Sequence, residues 1–229
     1  MTIIKKYQAK ISAIHNTIDG VYTVELESLG KAFKYEPGQF LHLALDEYDP
    51  SGQWPESRCF SIQSAPGEAL IKITYAVKGQ FTMRMQKELA PGKEVTLKLP
   101  YGDLFSQGHL KKNTVFISGG TGITPYLSLF TDSGFSSYER PVLYAGFRNK
   151  EMNLYTDQIN AACKINASLE VHYIYQDQTG ILDIEKILDA SDKKTSFFIS
   201  GPPLMIKSFK DYLSRQGMRA DQIKTDDWE

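Results

Sequence analysis

From Lys111-Lys112-Asn113 onward the chain alternates in a way that few architectures accommodate: strand, turn, helix, then strand again. NTVFISGG reads as a buried strand, ITPYLSLFTDS as a helix and PVLYAGFRN as a strand. LYTDQINAACK then reads as a helix, LEVHYIYQD as a strand, DIEKILDAS as a helix, TSFFIS as a strand and PLMIKSFKDYLSRQG as a helix. Parallel strands need crossovers and helices provide them, so this half is expected to be a parallel sheet with helices on its faces, a layout suited to nucleotides.

The preceding half has a different texture. YQAKISAIH, GVYTVELES, GQFLHLAL, RCFSIQSA, ALIKITYAV and KEVTLKLP are alternating or β-branched runs. They are punctuated by Asp19-Gly20, Pro37-Gly38, Asp49-Pro50, Pro66-Gly67 and Pro91-Gly92, which predicts an antiparallel barrel or sandwich. One segment breaks the period: FTMRMQKELA repeats apolar residues every fourth position, at Phe81, Met85 and Leu89, and so reads as a short helix inside the β half. The seam is expected between Gly108 and Asn113, giving one domain over residues 1–108 and a second over 109–229.

Composition narrows the function. The net charge is -1 and no dense basic run is present, which argues against nucleic acid. MTIIKKYQAKISAI lacks the apolar core of a signal peptide, and no stretch is long enough to span a bilayer, so a cytoplasmic protein without a membrane partner is expected. Cys59 and Cys163 are too few for an iron–sulfur cluster, and the four histidines lack ligand spacing, so no metal site is expected.

Gly119-Gly120-Thr121-Gly122-Ile123-Thr124-Pro125 follows a strand and opens a helix. Glycines there allow close backbone approach, and the free amides and positive end of the helix favour a phosphate. The spacing matches neither G-x-G-x-x-G nor the Lys-Ser/Thr phosphate loop, and a tight turn without a ligand would look the same. A second such turn, Ser200-Gly201-Pro202-Pro203, ends the last buried run, where a rigid loop introducing the next helix is the simpler reading taken alone. In the first half, Arg58-Cys59-Phe60-Ser61 presents a cation, a ring and a hydroxyl on one strand.

Together, Arg-x-Phe-Ser in a β-rich half, GGTGITP, and a last strand ending in SGPPLM closely resemble the ferredoxin–NADP reductase family over essentially the whole chain. The resemblance implies a flavin-binding β-barrel followed by an α/β NAD(P)-binding domain, and an NAD(P)H-dependent flavoprotein reductase moving hydride from nicotinamide to bound FAD, with FMN second to FAD. It gives Arg58 to a flavin phosphate, Phe60 to the isoalloxazine or ribityl chain and Ser61 to the region of N5. Tyr75 is a flavin contact on the same grounds. Gly79 and Thr82 form a phosphate-holding helix start, through the helix amides and the Thr82 hydroxyl. In the second domain the resemblance gives Gly120, Thr121, Gly122, Gly201 and Pro202 to the dinucleotide. Ser200 stands where the family usually has Cys, and is read with Ser61 as a catalytic position. Asp226 and Trp228, in KTDDWE, match the family's acidic-plus-aromatic ending.

Many members carry Tyr where this chain has Phe60, so a phenolic hydrogen bond is missing. Members preferring NADPH carry an arginine after the third strand of the second domain. Here that place reads Tyr175-Gln176-Asp177-Gln178, with Arg148 the available cation, which leans toward NADH over NADPH. The expected acceptor is a separate molecule such as a ferredoxin, a flavodoxin or an oxygenase component. The alternatives are a free-flavin reductase and a non-catalytic nucleotide-binding subunit.

Overall fold

The computed structural model describes residues 3–226. They divide into two compact units, Met1–Gly102 and Asp103–Glu229.

The first unit is built from six strands, β1 (Lys5–Ile18), β2 (Val21–Ser28), β3 (Phe40–Ala44), β4 (Ser57–Ser61), β5 (Leu70–Ala76) and β6 (Glu94–Tyr101), with one helix, α1 (Gln80–Glu88). They form an antiparallel sheet in the order β4-β3-β6-β1-β2-β5. A backbone hydrogen bond from Gln63 N to Lys72 O (2.8 Å) ties the segments beside β4 and β5, so the sheet curls toward closure. Strand side chains alternate between faces, and the sequence exploits this directly: Tyr7, Ala9 and Ile11 of β1 are buried while Lys5, Lys6 and Gln8 are exposed. With Leu41, Leu43, Ile71, Ile73, Val95, Leu97 and Leu99 they make one core. The period-four run does form a helix, and Phe81, Met85 and Leu89 enter that same core.

The second unit contains β7 (Thr114–Gly119), α2 (Thr124–Phe130), β8 (Val142–Phe147), α3 (Thr156–Ile165), β9 (Glu170–Tyr175), α4 (Gln176–Thr179), α5 (Ile184–Asp189), β10 (Ser196–Ser200), α6 (Pro203–Arg215) and β11 (Ile223–Thr225). The strands are parallel, in the order β11-β10-β7-β8-β9. Alternation here divides two cores. Phe116, Leu143 and Phe198 face α2 and α3, whereas Val115, Ile117, Phe197 and Ile199 face α5 and α6. Burial on both faces explains why these strands read as continuous apolar runs.

The units divide ahead of the seam expected from texture, and the reason is packing. Leu104 belongs to the second core, and the Phe105 ring lies 5.1 Å from Phe198 and 6.2 Å from Phe116. The segment that follows is pinned to the same unit. His109 Nε2 is 2.7 Å from the Tyr138 hydroxyl and Nδ1 is 2.9 Å from Gln107 O, while the Lys224 ammonium donates to the Gln107 side chain at 3.2 Å. No helix among the described residues is long and apolar enough to cross a membrane.

Burial, reinforced by the charges of Lys111 and Lys224, holds the His109 imidazole below its ordinary pKa despite the opposing bond to Gln107. The fold therefore favours the neutral ring: its contribution is complete above the ordinary histidine pKa and is lost as pH falls through it toward the lowered folded value. Urea denaturation from pH 7.5 down to 5 is expected to show wild-type stability falling relative to His109→Gln by up to about 1.4 kcal/mol per pH unit. Parallel pH profiles for the two proteins would contradict this.

Candidate functional site

In the second unit the chain runs β7, β8, β9 outward to one side, then crosses to β10 and β11 on the other. The order reverses between β7 and β10, so their following turns leave in opposite directions and a crevice opens at their carboxyl ends. GGTGITP and SGPPLM are those two turns.

They touch backbone to backbone. A side chain on Gly122 would come within 2.5 Å of Gly201 Cα and 2.6 Å of Gly201 N, and one on Gly201 within 2.9 Å of Gly119 N. Gly119 is similarly closed in by Pro202 and Met205. Gly120 differs: its φ is +56° and nothing lies near its missing Cβ, so it presents open backbone in a left-handed conformation that suits glycine. The expected helix after the glycines begins as a 3₁₀ turn, Gly120–Ile123, before α2, and the Thr124 hydroxyl donates to Thr121 O at 2.9 Å.

A polar row crosses the sheet beneath these turns. Ser118 of β7 is in register with Ser200 of β10, and the Ser200 hydroxyl donates to the Asp226 carboxylate at 3.1 Å. Asp226 N in turn donates to Ile199 O at 3.0 Å, which extends the β11 pairing by one residue. Ser118 Oγ is buried without a hydrogen-bond partner among the described residues. A buried hydroxyl left unsatisfied at a ligand edge is the kind of group a bound molecule or water completes. Sequence reasoning found Ser200 and Asp226 but missed Ser118, although its place directly before the glycines was a usable signal. It also missed Tyr126, whose fully buried hydroxyl donates to Ile117 O at 3.0 Å and whose pKa is raised well above the tyrosine range by burial and then by Asp226.

Arg148 and Asp177 stand apart from that row. Arg148, just past β8, is exposed, and its carbonyl accepts from Asp177 N at 3.1 Å, a backbone bond that ties the segments following β8 and β9. Trp228 lies outside the described residues.

In the first unit, β4 carries Arg58 opposite Leu43, Phe60 opposite Leu41 and Ser61 opposite Phe40. The Phe60 ring is buried and packs edge-on to Tyr75 at 6.2 Å, and Tyr75 stacks on Tyr22 at 5.3 Å. Burial, then the neighbouring Tyr22, lifts the Tyr75 hydroxyl far above the tyrosine range. Arg58 reaches over the Phe81 ring at 5.2 Å, which joins the Arg-x-Phe-Ser strand to the first turn of α1. Cys59, between them, points the other way, with Sγ 3.4 Å from His42 Nε2.

The start of α1 departs from the expected arrangement in one respect. Gly79 is the N-cap and no side chain caps the helix, so its first-turn amides are left to solvent or a ligand. The Thr82 hydroxyl, however, is engaged within the turn: it donates to Gly79 O at 3.0 Å and accepts from the amides of Lys78 (2.9 Å) and Gly79 (3.1 Å). These three bonds shape the turn.

These donors fit the groups the family resemblance implies. A guanidinium beside an uncapped helix start suits a phosphate, and a glycine-rich crevice at a switch point, with an incomplete buried hydroxyl below it, suits a dinucleotide.

Comparison with known proteins agrees with this geometry. An FAD-binding domain model matches residues 5–127, more than half of the chain, and an oxidoreductase NAD-binding domain model matches residues 116–211. The chain is 25% identical over 240 residues to the reductase component of propane 2-monooxygenase from Rhodococcus jostii (strain RHA1), covering 96% of this chain and 63% of that protein. It is 22% identical over 222 residues to the flavohemoprotein of Rhizobium meliloti (strain 1021), covering 88% of this chain and 55% of that protein. The chain thus spans between half and two thirds of these curated relatives. The fold matches a ferredoxin NADP+ reductase from Neisseria gonorrhoeae, crystallised with bound FAD and NADP, with a TM-score of 0.81 at 18% identity, over 97% of this chain and 98% of that one.

Gly122→Ala is expected to destabilise the protein by about 1–3 kcal/mol, the usual range for overpacking a closed contact, because the three colliding atoms, of Gly201 and Ser200, are all backbone and have no rotamer to retreat to. Chemical denaturation of the variant against wild type measures it, and a change within error would mean that the two turns separate freely.

Proposed function

Because the chain belongs to the ferredoxin–NADP reductase-like family and carries its FAD-binding and NAD-binding domains, we propose that it is an NAD(P)H-dependent flavin oxidoreductase that delivers electrons to a separate acceptor. The observation that carries this reading is the meeting of the two glycine turns over the Ser118–Ser200–Asp226 row at the switch point. When bound, the nicotinamide supplies hydride and the flavin accepts it, then releases electrons singly or in pairs.

The chain's own residues bind and orient. Gly120 and Thr121 would receive the dinucleotide, Gly120 with open backbone, while Gly122, packed against Gly201, lets the two turns close together and Pro202 would form the opposite wall. Ser200, donating to Asp226, keeps its oxygen fixed beside the crevice, so it serves as a positioning hydroxyl where a thiol is usual in the family. Arg58 would meet a flavin phosphate together with the amides following Gly79, Phe60 would offer the small exposed part of its ring to the flavin with the buried Tyr75 supporting it from behind, and Ser61 would offer a hydroxyl to its polar edge. The hydride step requires no side-chain base, and none is assigned.

Asp177 stands after β9, where members preferring NADPH carry an arginine, and this favours NADH, since an adenosine 2′-phosphate facing that residue would be repelled. Of the possible acceptors, an oxygenase component is favoured by the likeness to the reductase component of propane 2-monooxygenase, and a ferredoxin by the likeness to a ferredoxin NADP+ reductase. A flavodoxin would present similar chemistry. A free-flavin reductase is the second reading, and the engagement of the Thr82 hydroxyl within its own turn favours it, because one potential phosphate donor is withdrawn.

The decisive experiment is the visible spectrum of the purified, flavin-loaded protein under anaerobic conditions. One equivalent of NADH is expected to bleach the flavin band faster than one equivalent of NADPH. Protein that holds no flavin yet oxidises NADH when flavin is added would support the free-flavin reductase, and protein inert in both assays would sink the enzyme reading. Ser200→Ala is expected to lower kcat about ten-fold, the order of one hydrogen bond at a buried site, while leaving the bound-flavin spectrum unchanged. An unchanged kcat would remove Ser200 from the site.

A further inference from the structure

Arg58 has its own carboxylate. Glu56 Oε1 lies 3.0 Å from Arg58 Nη2, and Arg58 Nη1 donates to Ser57 O at 2.9 Å, so the guanidinium is engaged on two sides while its plane covers Phe81. The second Glu56 oxygen faces Arg84 at 3.8 Å. Arg84 scarcely needs it: Asp46 holds Arg84 through two bonds of 2.8 and 3.3 Å, and Glu88 approaches its Nε at 2.9 Å. The acid demand of Glu56 therefore falls on Arg58. Three carboxylates, Asp46, Glu56 and Glu88, surround two guanidiniums. A phosphate reaching Arg58 meets a cluster that is already net anionic unless Glu56 withdraws.

We propose that Glu56 is a built-in competitor for the phosphate that Arg58 meets, so that retention of a phosphorylated flavin is set by the exchange of one anion for another on a single guanidinium. This rests on the reading of Arg58 as the flavin-phosphate cation. The pair is suited to exchange. Both side chains are about half exposed, 54% for Arg58 and 51% for Glu56, so the contact is weak, screened by salt and quickly broken. Arg84 offers Glu56 a second partner once it is displaced, so the carboxylate is not left unpaired on leaving. The competitor acts on phosphorylated flavins alone, because riboflavin brings no anion to Arg58.

Quenching of flavin fluorescence measures the affinity of wild type, Glu56→Gln, Arg58→Gln and the double variant for FAD, FMN and riboflavin, with melting temperatures confirming that each is folded. Glu56→Gln is expected to bind FAD and FMN about two- to five-fold more tightly at low salt, the worth of one exposed ion pair. The gain is expected to shrink as salt rises, and riboflavin affinity to stay unchanged. The double variant should match Arg58→Gln, because the competitor has no effect once its target is gone. Weaker or unchanged FAD binding by Glu56→Gln, with Arg58→Gln still losing FAD, would overturn the proposal alone and make Glu56 a strut that orients Arg58. Equal tightening toward riboflavin would overturn it as well. FAD and FMN binding unaffected by Arg58→Gln would overturn the phosphate reading of Arg58 and the proposal with it.

Discussion

The second unit depends on two chain turns approaching closer than any side chain permits. β7 and β10 are neighbours whose connections depart to opposite faces of the sheet, so the turns at their ends converge on one crevice. Gly122 and Gly201 meet there with no room for a Cβ on either, and Pro202 and Met205 close around Gly119. That contact fixes the height of the β10 end relative to β7 and with it the level at which Ser118, Ser200 and Asp226 line up. A hydroxyl is positioned by backbone packing, and its hydrogen bond to Asp226 then selects one rotamer of the few that the packing leaves. Local glycine chemistry, sheet topology and site geometry are here one constraint.

The first unit positions its groups by a different means. Phe81, Met85 and Leu89 anchor α1 in the barrel core, and this anchoring presents the first turn of the helix beside β4. Strand alternation then sorts the motif: Phe60 enters the core, while Cys59 turns to His42. Burial of the His42 ring, helped by the charge of Lys98, keeps its pKa below the ordinary value, so the contact joins a thiol to a largely neutral imidazole and adds no cation to the face.

Much of this was legible in the sequence because it rests on period and punctuation. The alternation in YQAKISAIH became β1, the period of four became α1, and each βα alternation after residue 113 became an element of the parallel sheet. The family resemblance named both turns. What was not legible depends on contacts distant in sequence. Leu104 and Phe105 fell on the first-domain side of the expected seam because their partners, Phe116 and Phe198, lie in strands that only the fold brings near. The short β11 carries too few residues for a period and exists because Ile223 and Lys224 pair with Phe197 and Phe198. The resemblance gave Thr82 to a phosphate, but the bonds of its hydroxyl to the backbone just before it depend on the local turn geometry and were not legible in the sequence. Glu56, like Ser118, was an omission with a signal in the sequence: it directly precedes β4, and residues two apart along extended backbone share a face.

The two units also differ in what kind of anion site they can make. In the second, the groups turned toward the crevice are backbone and neutral hydroxyls, placed chiefly by the packing of the two turns. Among the described residues the carboxylate nearest this arrangement, Asp226, already accepts from Ser200. In the first, the principal cation is a half-exposed guanidinium on a long side chain, matched by an acid of similar exposure. Backbone geometry gives a site whose affinity is fixed by the fold, whereas an exposed ion pair gives one whose affinity follows its surroundings. On the proposed function, this division matches the traffic each side must bear: a dinucleotide that arrives and departs in every cycle needs a constant binding surface, and a flavin that stays needs only to be held firmly enough, at a strength that one carboxylate can set.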